Sequence, residues 1–474
     1  MAIDSSLRIR PAGPVLAALS LASLLACNAK AQETAAETPA KPQEAAAPAP
    51  VTCIVGGDVW TVTHGVIKNG VVIIRGAKIE KVGGSDLAVP AGATIVHAEG
   101  KVVAPGFVAD GAQLGGAVQP GNRLRDSLDP YSLSVSLAAA SGVTSVYLSG
   151  TGAGGRRPGG GGGGGRFAPA AAADGNFSTN NIVVKMTEGD LDGMPAAEST
   201  VITLSLESAR GGFGGFGGRG GGAAAGTSST LTTRYNIADQ LKRAFDYQQA
   251  QDKFEKAGKQ GTAPTKPGDA DAVLPLLKHE KLLRVSANST ADIRYALRLA
   301  KEFGIQMVIS PAGEAWVIAD EVAAQKALLV VSARDRTMPD ERRNAPTGSH
   351  PEGTGILAKA GVNFAVLPPD TSFSIGGEMG RDMLTFALEG SYVMRGGAGA
   401  QAALESITIT AAKAIGMEKR LGSLDPGKDG DVLILSGDPL DYRSFVEQTY
   451  INGKLRYDRQ KATFFQHIKP QRTN

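Results

Sequence analysis

The sequence predicts an α/β fold in which an eight-stranded parallel barrel is surrounded by helices, a (β/α)8 TIM-type barrel. Eight short apolar runs between residues 102 and 369 have the length and composition of buried strands. Several gaps between them show helical periodicity, and this alternation of strand and crossover helix is typical of a parallel sheet. Short strands separated by tight turns precede and follow this region.

The overall composition is that of a globular protein. The chain has 474 residues, of which 42% are hydrophobic and 20% charged, enough to bury a sizeable core. The formal net charge of +3 is too small for a protein that binds polyanions through charge. We therefore predict no nucleic-acid partner.

Residues 1–26 have the three parts of a secretory signal peptide. Two arginines precede an apolar run over residues 14–26, which is too short to span a bilayer as a stable helix. The run ends in Leu24-Leu25-Ala26-Cys27, which resembles the bacterial lipobox, a motif whose cysteine becomes lipidated. We predict a lipoprotein with its lipid on Cys27; an ordinary signal peptide is the alternative.

Residues 27–50 are rich in Ala, Pro and Glu and lack an apolar periodicity, which predicts a tether between the lipid and the folded domain. A lipid on Cys27 would hold the protein on the periplasmic side of the cell envelope. Asn28 at the next position favours the outer membrane. Only Cys53 then remains, so the mature domain cannot contain an internal disulfide; Cys53 itself is predicted to be a buried strand residue.

From residue 51 onward the chain shows short strands and turns, and Asn69-Gly70 between apolar runs predicts a hairpin. The far end, LGSLDPGKDGDVLILSGDPLDY followed by VEQTYINGKLRY, has the same character, with Asp-Pro-Gly and Asn-Gly turns.

The predicted barrel strands follow one another between these two ends. They are VVAPGFVAD, TSVYLSG, NIVVKM, VITLSL, LLRVSAN, IQMVISP, ALLVVSA and VNFAVLPP. NIVVKM and VITLSL could instead form a hairpin. The clearest helix is TADIRYALRLAKEFG with Thr290 as its N-cap, and residues 234–257 predict one long polar helix.

Three stretches resemble the amidohydrolase superfamily, in its imidazolonepropionase-like branch: GVVIIRGAKIEKVG, GKVVAPGF and ALESITITAAKAIGMEKRLGSLDPGKDGDVLILSGDPL. The resemblance implies a distorted (β/α)8 barrel over residues 105–420. It also implies a small β-sandwich built from both chain ends, residues 51–104 and 421–474. The implied activity is hydrolysis of C–N bonds in non-peptide or cyclic amides.

The resemblance further implies one or two divalent metal ions at the carboxyl ends of the barrel strands. The ligands would be a His-X-His after strand one, a lysine on strand four, single histidines after strands five and six, and an aspartate after strand eight. The His-X-His pattern that follows Asp110 falls on Gly111 and Gln113, and the strand-five position falls near Asn288. Asp370 could serve as the aspartate. Lys185 could be the lysine, or an ordinary exposed one.

The five histidines do not fit this pattern. They are His64, His97, His279, His350 and His467, in the predicted sandwich, the tail or loops away from the expected ligand positions. Carboxylates such as Asp110, Glu314 and Asp370 could hold Mg²⁺ or Ca²⁺ only weakly. We therefore predict a degenerate metal site and no metal cofactor.

Two glycine-rich segments, residues 152–166 and 210–226, resemble RNA-binding RGG repeats but contain few arginines. Flexible insertions in the loops after barrel strands two and four explain them better.

Three functions remain open at this point. The first is a weakly active or non-catalytic homologue, a pseudoenzyme, which binds a small molecule near Asp110, Gln113, Lys185, Asn288 and Asp370. The second is an active zinc-dependent hydrolase with unorthodox ligands among Asp110, Gln113, Lys185, His350 and Asp370. The third is an interaction scaffold that uses the glycine-rich loops. A homo-oligomer, or a hetero-oligomer with a paralogue that has the full histidine set, is compatible with each.

Overall fold

The computed structural model describes residues 49–114, 123–150, 177–206, 230–336, 338–339, 347–375 and 381–462. The predictions for the signal peptide, the tether, Cys27, both glycine-rich segments and His467 lie outside these residues. Within the described ranges, none of the helices combines the length and the apolar character needed to cross a bilayer.

The strands and helices of the described residues are numbered in chain order. The strands are β1 Val51–Trp60, β2 Val66–Arg75, β3 Lys78–Gly83, β4 Thr94–His97, β5 Val102–Pro105, β6 Phe107–Ala109, β7 Val143–Ser149, β8 Phe177–Ser178, β9 Asn181–Lys185, β10 Pro195–Glu198, β11 Val201–Ser205, β12 Leu282–Ser286, β13 Met307–Ile309, β14 Leu328–Val331, β15 Phe364–Val366, β16 Val432–Leu435, β17 Val446–Ile451 and β18 Lys454–Asp458. The helices are α1 Leu133–Ala140, α2 Thr230–Lys256, α3 Leu274–Leu277, α4 Thr290–Phe303, α5 Ala319–Ala324, α6 Gly353–Lys359, α7 Arg381–Leu384, α8 Ala387–Arg395, α9 Ala400–Ser406 and α10 Ile409–Ala414.

The two ends of the folded region share one mixed sheet. Its strand order is β18-β17-β16-β5-β1-β2-β3, with β4 paired to β1. The junction between the ends is the antiparallel pair β5–β16, which aligns Pro105 with Val432. Cys53 is fully buried on β1, as predicted. The division into a β-sandwich of two sheets stays a prediction.

The central strands form a four-stranded sheet, β10-β9-β7-β6, and a six-stranded sheet, β15-β14-β13-β12-β11-β8. Each of the eight predicted runs contains a strand, and β11 to β15 are parallel neighbours. The first run divides: β5 joins the terminal sheet and only β6 joins the central one. NIVVKM (β9) runs antiparallel to β7 and forms its hairpin with β10, not with VITLSL.

The two central sheets pack against each other through one apolar interior. Its members from both sheets are Val108, Tyr147, Val183, Val201, Val308, Val330 and Ala365. Residues after β6 and β15 also meet, where the backbone N–H of Gln113 donates to the carbonyl of Thr371 at 2.8 Å. Closure of the strands into a complete barrel stays a prediction.

Two local predictions were wrong, for identifiable reasons. Asn69-Gly70 does not form a turn: it lies inside β2, where Asn69 has φ +47° next to a register shift against β1. Asparagine tolerates this left-handed conformation in a bulge as well as in a turn.

The N-cap of α4 is Ser289, whose hydroxyl accepts from the backbone N–H of Asp292, and Thr290 is the first helical residue. The long polar helix is confirmed as α2.

Candidate functional site

The interior strand ends are joined by a buried ion pair between Asp110 and Arg284. Asp110 directly follows β6, and Arg284 lies in the middle of β12. Nη1 of Arg284 lies 2.7 Å from Oδ1 and 2.9 Å from Oδ2 of Asp110, and Nη2 donates to Oγ of Ser310 at 2.8 Å. The Asp110 side chain is 0% exposed and that of Arg284 12%. A fixed, largely buried cation therefore lies at the carboxyl ends of β6 and β13, between Asp110 and Ser310.

Tyr147 on β7 packs against the other side of this guanidinium. The centre of the Arg284 guanidinium lies 4.9 Å from the ring centroid, within the range of a cation–π contact. Burial raises the pKa of Tyr147 to about 12, so the phenol stays protonated at neutral pH. The ring and the carboxylate together hold the guanidinium in one place.

Burial and charge act in opposite directions on the two partners of the ion pair. Burial raises the pKa of the Asp110 carboxyl, against the opposing effect of the Arg284 charge. Burial acts to lower the pKa of Arg284, but the charge of Asp110 raises it overall. The guanidinium is therefore permanently charged at this position.

Gly111 and Gln113, where the resemblance places a His-X-His pair, are not arranged as ligands. Gly111 has φ +145°, a conformation that side-chain-bearing residues rarely adopt, and a Cβ atom there would lie 3.3 Å from Leu367. Gln113 is exposed and is bonded through its backbone to Thr371. The backbone at Gly111 therefore opposes any larger residue.

The side chains of Asn288 and Asp370 each accept hydrogen bonds from groups in nearby loops. Oδ1 of Asn288 accepts from the backbone N–H of Gly313 at 2.8 Å. Oδ1 of Asp370 accepts from the backbone N–H and the hydroxyl of Ser372, at 3.0 and 2.7 Å.

Lys185 is buried in a charged cluster of its own. Its side chain is 1% exposed, so the alternative of an ordinary exposed lysine is wrong. Its Nζ lies 2.9 Å from Oδ2 of Asp429 and also contacts Asp431; these carboxylates are 2% and 6% exposed. Lys78 and Arg420 contact Asp429 from the outside. This cluster ties β9 to the segment before β16, and the structure does not bring Lys185 together with Asp110.

The histidines lie away from the interior. His64, His97, His279 and His350, the four in the described ranges, are all exposed. The His350 ring lies 4.7 Å from that of Trp316, and its Nδ1 accepts from the backbone N–H of Glu352. No three His, Cys, Asp or Glu side chains in the described part of the chain converge in a way that could hold a metal ion.

Glu314 is a buried carboxylate that joins the first residue of α4 to the loop at residues 347–348. Oε2 accepts from the backbone N–H and hydroxyl of Thr290, at 2.8 and 3.0 Å, and Oε1 accepts from the backbone N–H groups of Gly348 and Thr347, at 3.0 and 3.2 Å. Burial acts to raise the pKa of Glu314, but these hydrogen bonds lower it overall. These four hydrogen bonds give Glu314 a structural role.

We expect Glu314→Gln to reduce the free energy of unfolding by about 1–3 kcal/mol, because the amide nitrogen cannot accept from the backbone donors that an oxygen now satisfies. Urea denaturation at pH 7 measures the loss. Since the folded pKa is lowered, the carboxylate's contribution is present above its ordinary pKa and is lost as the pH falls through the lowered one. Glu352→Gln, at an exposed residue nearby, is the control and should change stability little; equal losses in both variants would contradict this role.

The sequence reasoning missed Arg284 and Ser310, which form the centre of the site with Asp110. An arginine between apolar residues in LLRVSAN was the available signal, because a charge on a buried strand requires a buried partner. Its partner, Asp110, was predicted as a pocket residue.

Comparisons with known proteins agree with this architecture. A family model described as "Amidohydrolase family" matches residues 376–457. A 5-methylthioadenosine/S-adenosylhomocysteine deaminase of Teredinibacter turnerae is 31% identical over 123 residues, which cover 26% of this chain and 28% of the deaminase. The chain thus matches little more than a quarter of that relative's length.

The solved structure of an amidohydrolase from Thermotoga maritima resembles the whole folded region. It superposes with a TM-score of 0.60 at 23% identity, over 86% of this chain and 100% of that one. This likeness shows a shared fold. The family match is confined to residues 376–457, and over the rest of the folded region the likeness is one of fold.

Proposed function

We propose that this chain is an amidohydrolase-fold pseudoenzyme that binds a small molecule and hydrolyses C–N bonds weakly or not at all. One observation carries the proposal: Asp110, which directly precedes the implied metal-ligand pair, is bound by the Arg284 guanidinium. A guanidinium repels a divalent cation, and its hydrogen bonds engage the carboxylate that would otherwise be available to a metal.

The side chains present do not fit a divalent metal. Asp110, the carboxylate next to the expected ligand pair, already accepts two hydrogen bonds from Arg284. We propose that Gly111 and Gln113 occupy the positions of the family's histidine pair, and the left-handed backbone at Gly111 opposes a histidine there.

The location of the protein is a proposal from the sequence. A lipid on Cys27 and a tether over residues 27–50 would place the folded domain in the periplasm, at the outer membrane. Assembly with itself or with a histidine-complete paralogue belongs to the same proposal. The domain limits 51–104, 105–420 and 421–474 are likewise proposed.

A metal-dependent hydrolase is the second candidate, and the 31% identity to a named deaminase favours it. It would need zinc ligands among Asp110, Gln113, Lys185, His350 and Asp370. Two of these are already engaged, because Asp110 pairs with Arg284 and Lys185 with Asp429.

Metal analysis of the purified full chain separates the two candidates. We expect far less than one equivalent of zinc, manganese or iron per chain by elemental analysis. Dialysis against a chelator and later addition of Zn²⁺ should both leave the unfolding temperature unchanged.

The second candidate predicts the opposite in each arm. Close to one equivalent of metal, with a chelator-sensitive unfolding temperature and chelator-sensitive amide hydrolysis, would overturn the pseudoenzyme proposal. Gly111→His with Gln113→His is the matched variant: we expect it to lose stability and to bind no zinc.

A further inference from the structure

Hydroxyl groups line the strand ends next to the Arg284 guanidinium. Side chains alternate between the two faces of a strand, so Ser286 shares a face with Arg284. Ser310 is fixed on that face by its hydrogen bond from Arg284. Ser205 is the register partner of Ser286 on β11, at the interstrand spacing of about 4.8 Å. A row of hydroxyls therefore stands beside the guanidinium.

Arg284 and Ser310 both have N–H or O–H groups that can donate to a ligand. Arg284 makes three hydrogen bonds from its side chain, to Asp110 and Ser310, whereas a guanidinium has five N–H groups. Because Ser310 accepts from Arg284, its own O–H proton points elsewhere. The Arg284 side chain is 12% exposed, so part of it meets solvent.

Ser332 adds a second, independent indication of a ligand. It follows β14 and stands two residues after Val330, whose side chain lies in the interior cluster. Its Oγ is buried and has no hydrogen-bond partner in the structure described. Leaving a buried hydroxyl unpaired is costly, so such groups usually meet a ligand or a water molecule.

We propose that Arg284, Ser286, Ser310 and Ser332 bind a small organic carboxylate. A carboxylate has two oxygens that accept several hydrogen bonds, and it matches a guanidinium flanked by hydroxyls. Asp110 lies on the buried side of the guanidinium and offsets part of its charge, so directed hydrogen bonds provide most of the selectivity. This inference rests on the proposed metal-free interior.

The test uses two probes that differ only at the carboxylate, N-acetylglycine and N-acetylglycinamide. Each is titrated calorimetrically into the purified full chain, whose metal content is measured on the same sample. We expect the carboxylate to bind at least about tenfold more tightly than the amide, since an amide replaces one acceptor by a donor.

Two variants connect this binding to the proposed residues. Ser286→Ala should weaken carboxylate binding by about tenfold or less. Asp110→Leu combined with Arg284→Met removes the guanidinium without leaving a lone charge and should abolish the preference for the carboxylate. Ser85→Ala, at an exposed serine between β3 and β4, is the control and should bind as the parent does.

The outcomes are distinguishable. Equal binding of the two probes, no binding of either, or a carboxylate preference that survives in the double variant would overturn this inference while a metal-free sample leaves the proposed function intact. A stoichiometric metal with chelator-sensitive probe binding would overturn the proposed function itself.

Discussion

Replacing Arg284 with methionine is expected to lower the free energy of unfolding by about 3–5 kcal/mol. The change leaves Asp110 fully buried with no cation beside it, and it removes the donor to Ser310. The loss arises mainly from the lone carboxylate, because a buried charge without a partner pays its desolvation cost in full. Chemical denaturation of the full chain at pH 7 measures it.

The double variant Asp110→Leu with Arg284→Met is the matched control. Replacing a whole buried ion pair by apolar side chains of similar size is often close to neutral. We expect it to recover most of the stability lost in the single variant. A loss below about 1 kcal/mol in Arg284→Met would contradict this expectation, because it would mean that Asp110 does not depend on the guanidinium.

Lys185→Met is expected to lower the free energy of unfolding by a similar amount, about 3–5 kcal/mol, because here too buried charges lose their partner. Two buried carboxylates, Asp429 and Asp431, would lose the ammonium group that lies between them. Lys78 and Arg420 still contact Asp429, so Asp431 would bear most of the penalty. Thermal and urea unfolding should both show the loss.

An exposed lysine gives the control for this experiment. Lys81 lies on β3 with its side chain in solvent, and Lys81→Met should change stability by less than about 0.5 kcal/mol. If both variants lose the same amount, the charged cluster is not what stabilises the junction between β9 and the terminal sheet.

The same cluster predicts a pH dependence. Burial acts to raise the pKa of Asp429, but Lys185 and the neighbouring cations lower it to about 2. Because the folded pKa lies below the ordinary value of 3.8, the stabilisation is complete above about pH 5 and is lost as the pH falls towards 2. Unfolding free energies measured from pH 6 to pH 2.5 should fall more steeply in the parent than in Asp429→Asn. Parallel curves would contradict this assignment.

The strands were predictable because the apolar composition of runs such as ALLVVSA and IQMVISP is enough to identify them as buried strands. The direction of β9 was not, since NIVVKM is equally apolar whichever way it runs; its partners β7 and β10 decide it. Asn69-Gly70 shows the same limit locally, because a left-handed asparagine suits both a turn and a bulge, and the register with β1 selects the bulge.

The site was predictable only in part. Asp110 follows a recognisable Pro-Gly-Phe entry to the first central strand, so its position could be inferred from the motif. Arg284 could not be paired with it in advance, because 173 residues separate the two positions in the chain and only the packing of the two sheets brings them within 2.7 Å. Lys185 had the right residue type, but its partners Asp429 and Asp431 belong to the opposite end of the chain.

The Arg284 guanidinium also has a consequence for how the protein depends on its surroundings. The positive charge belongs to a side chain, so it is present as soon as the chain is synthesised and does not depend on the supply of a metal ion. A chelator cannot remove this charge, and another cation cannot replace it. Under the proposed metal-free interior, the domain is expected to keep its shape in an environment depleted of trace metals.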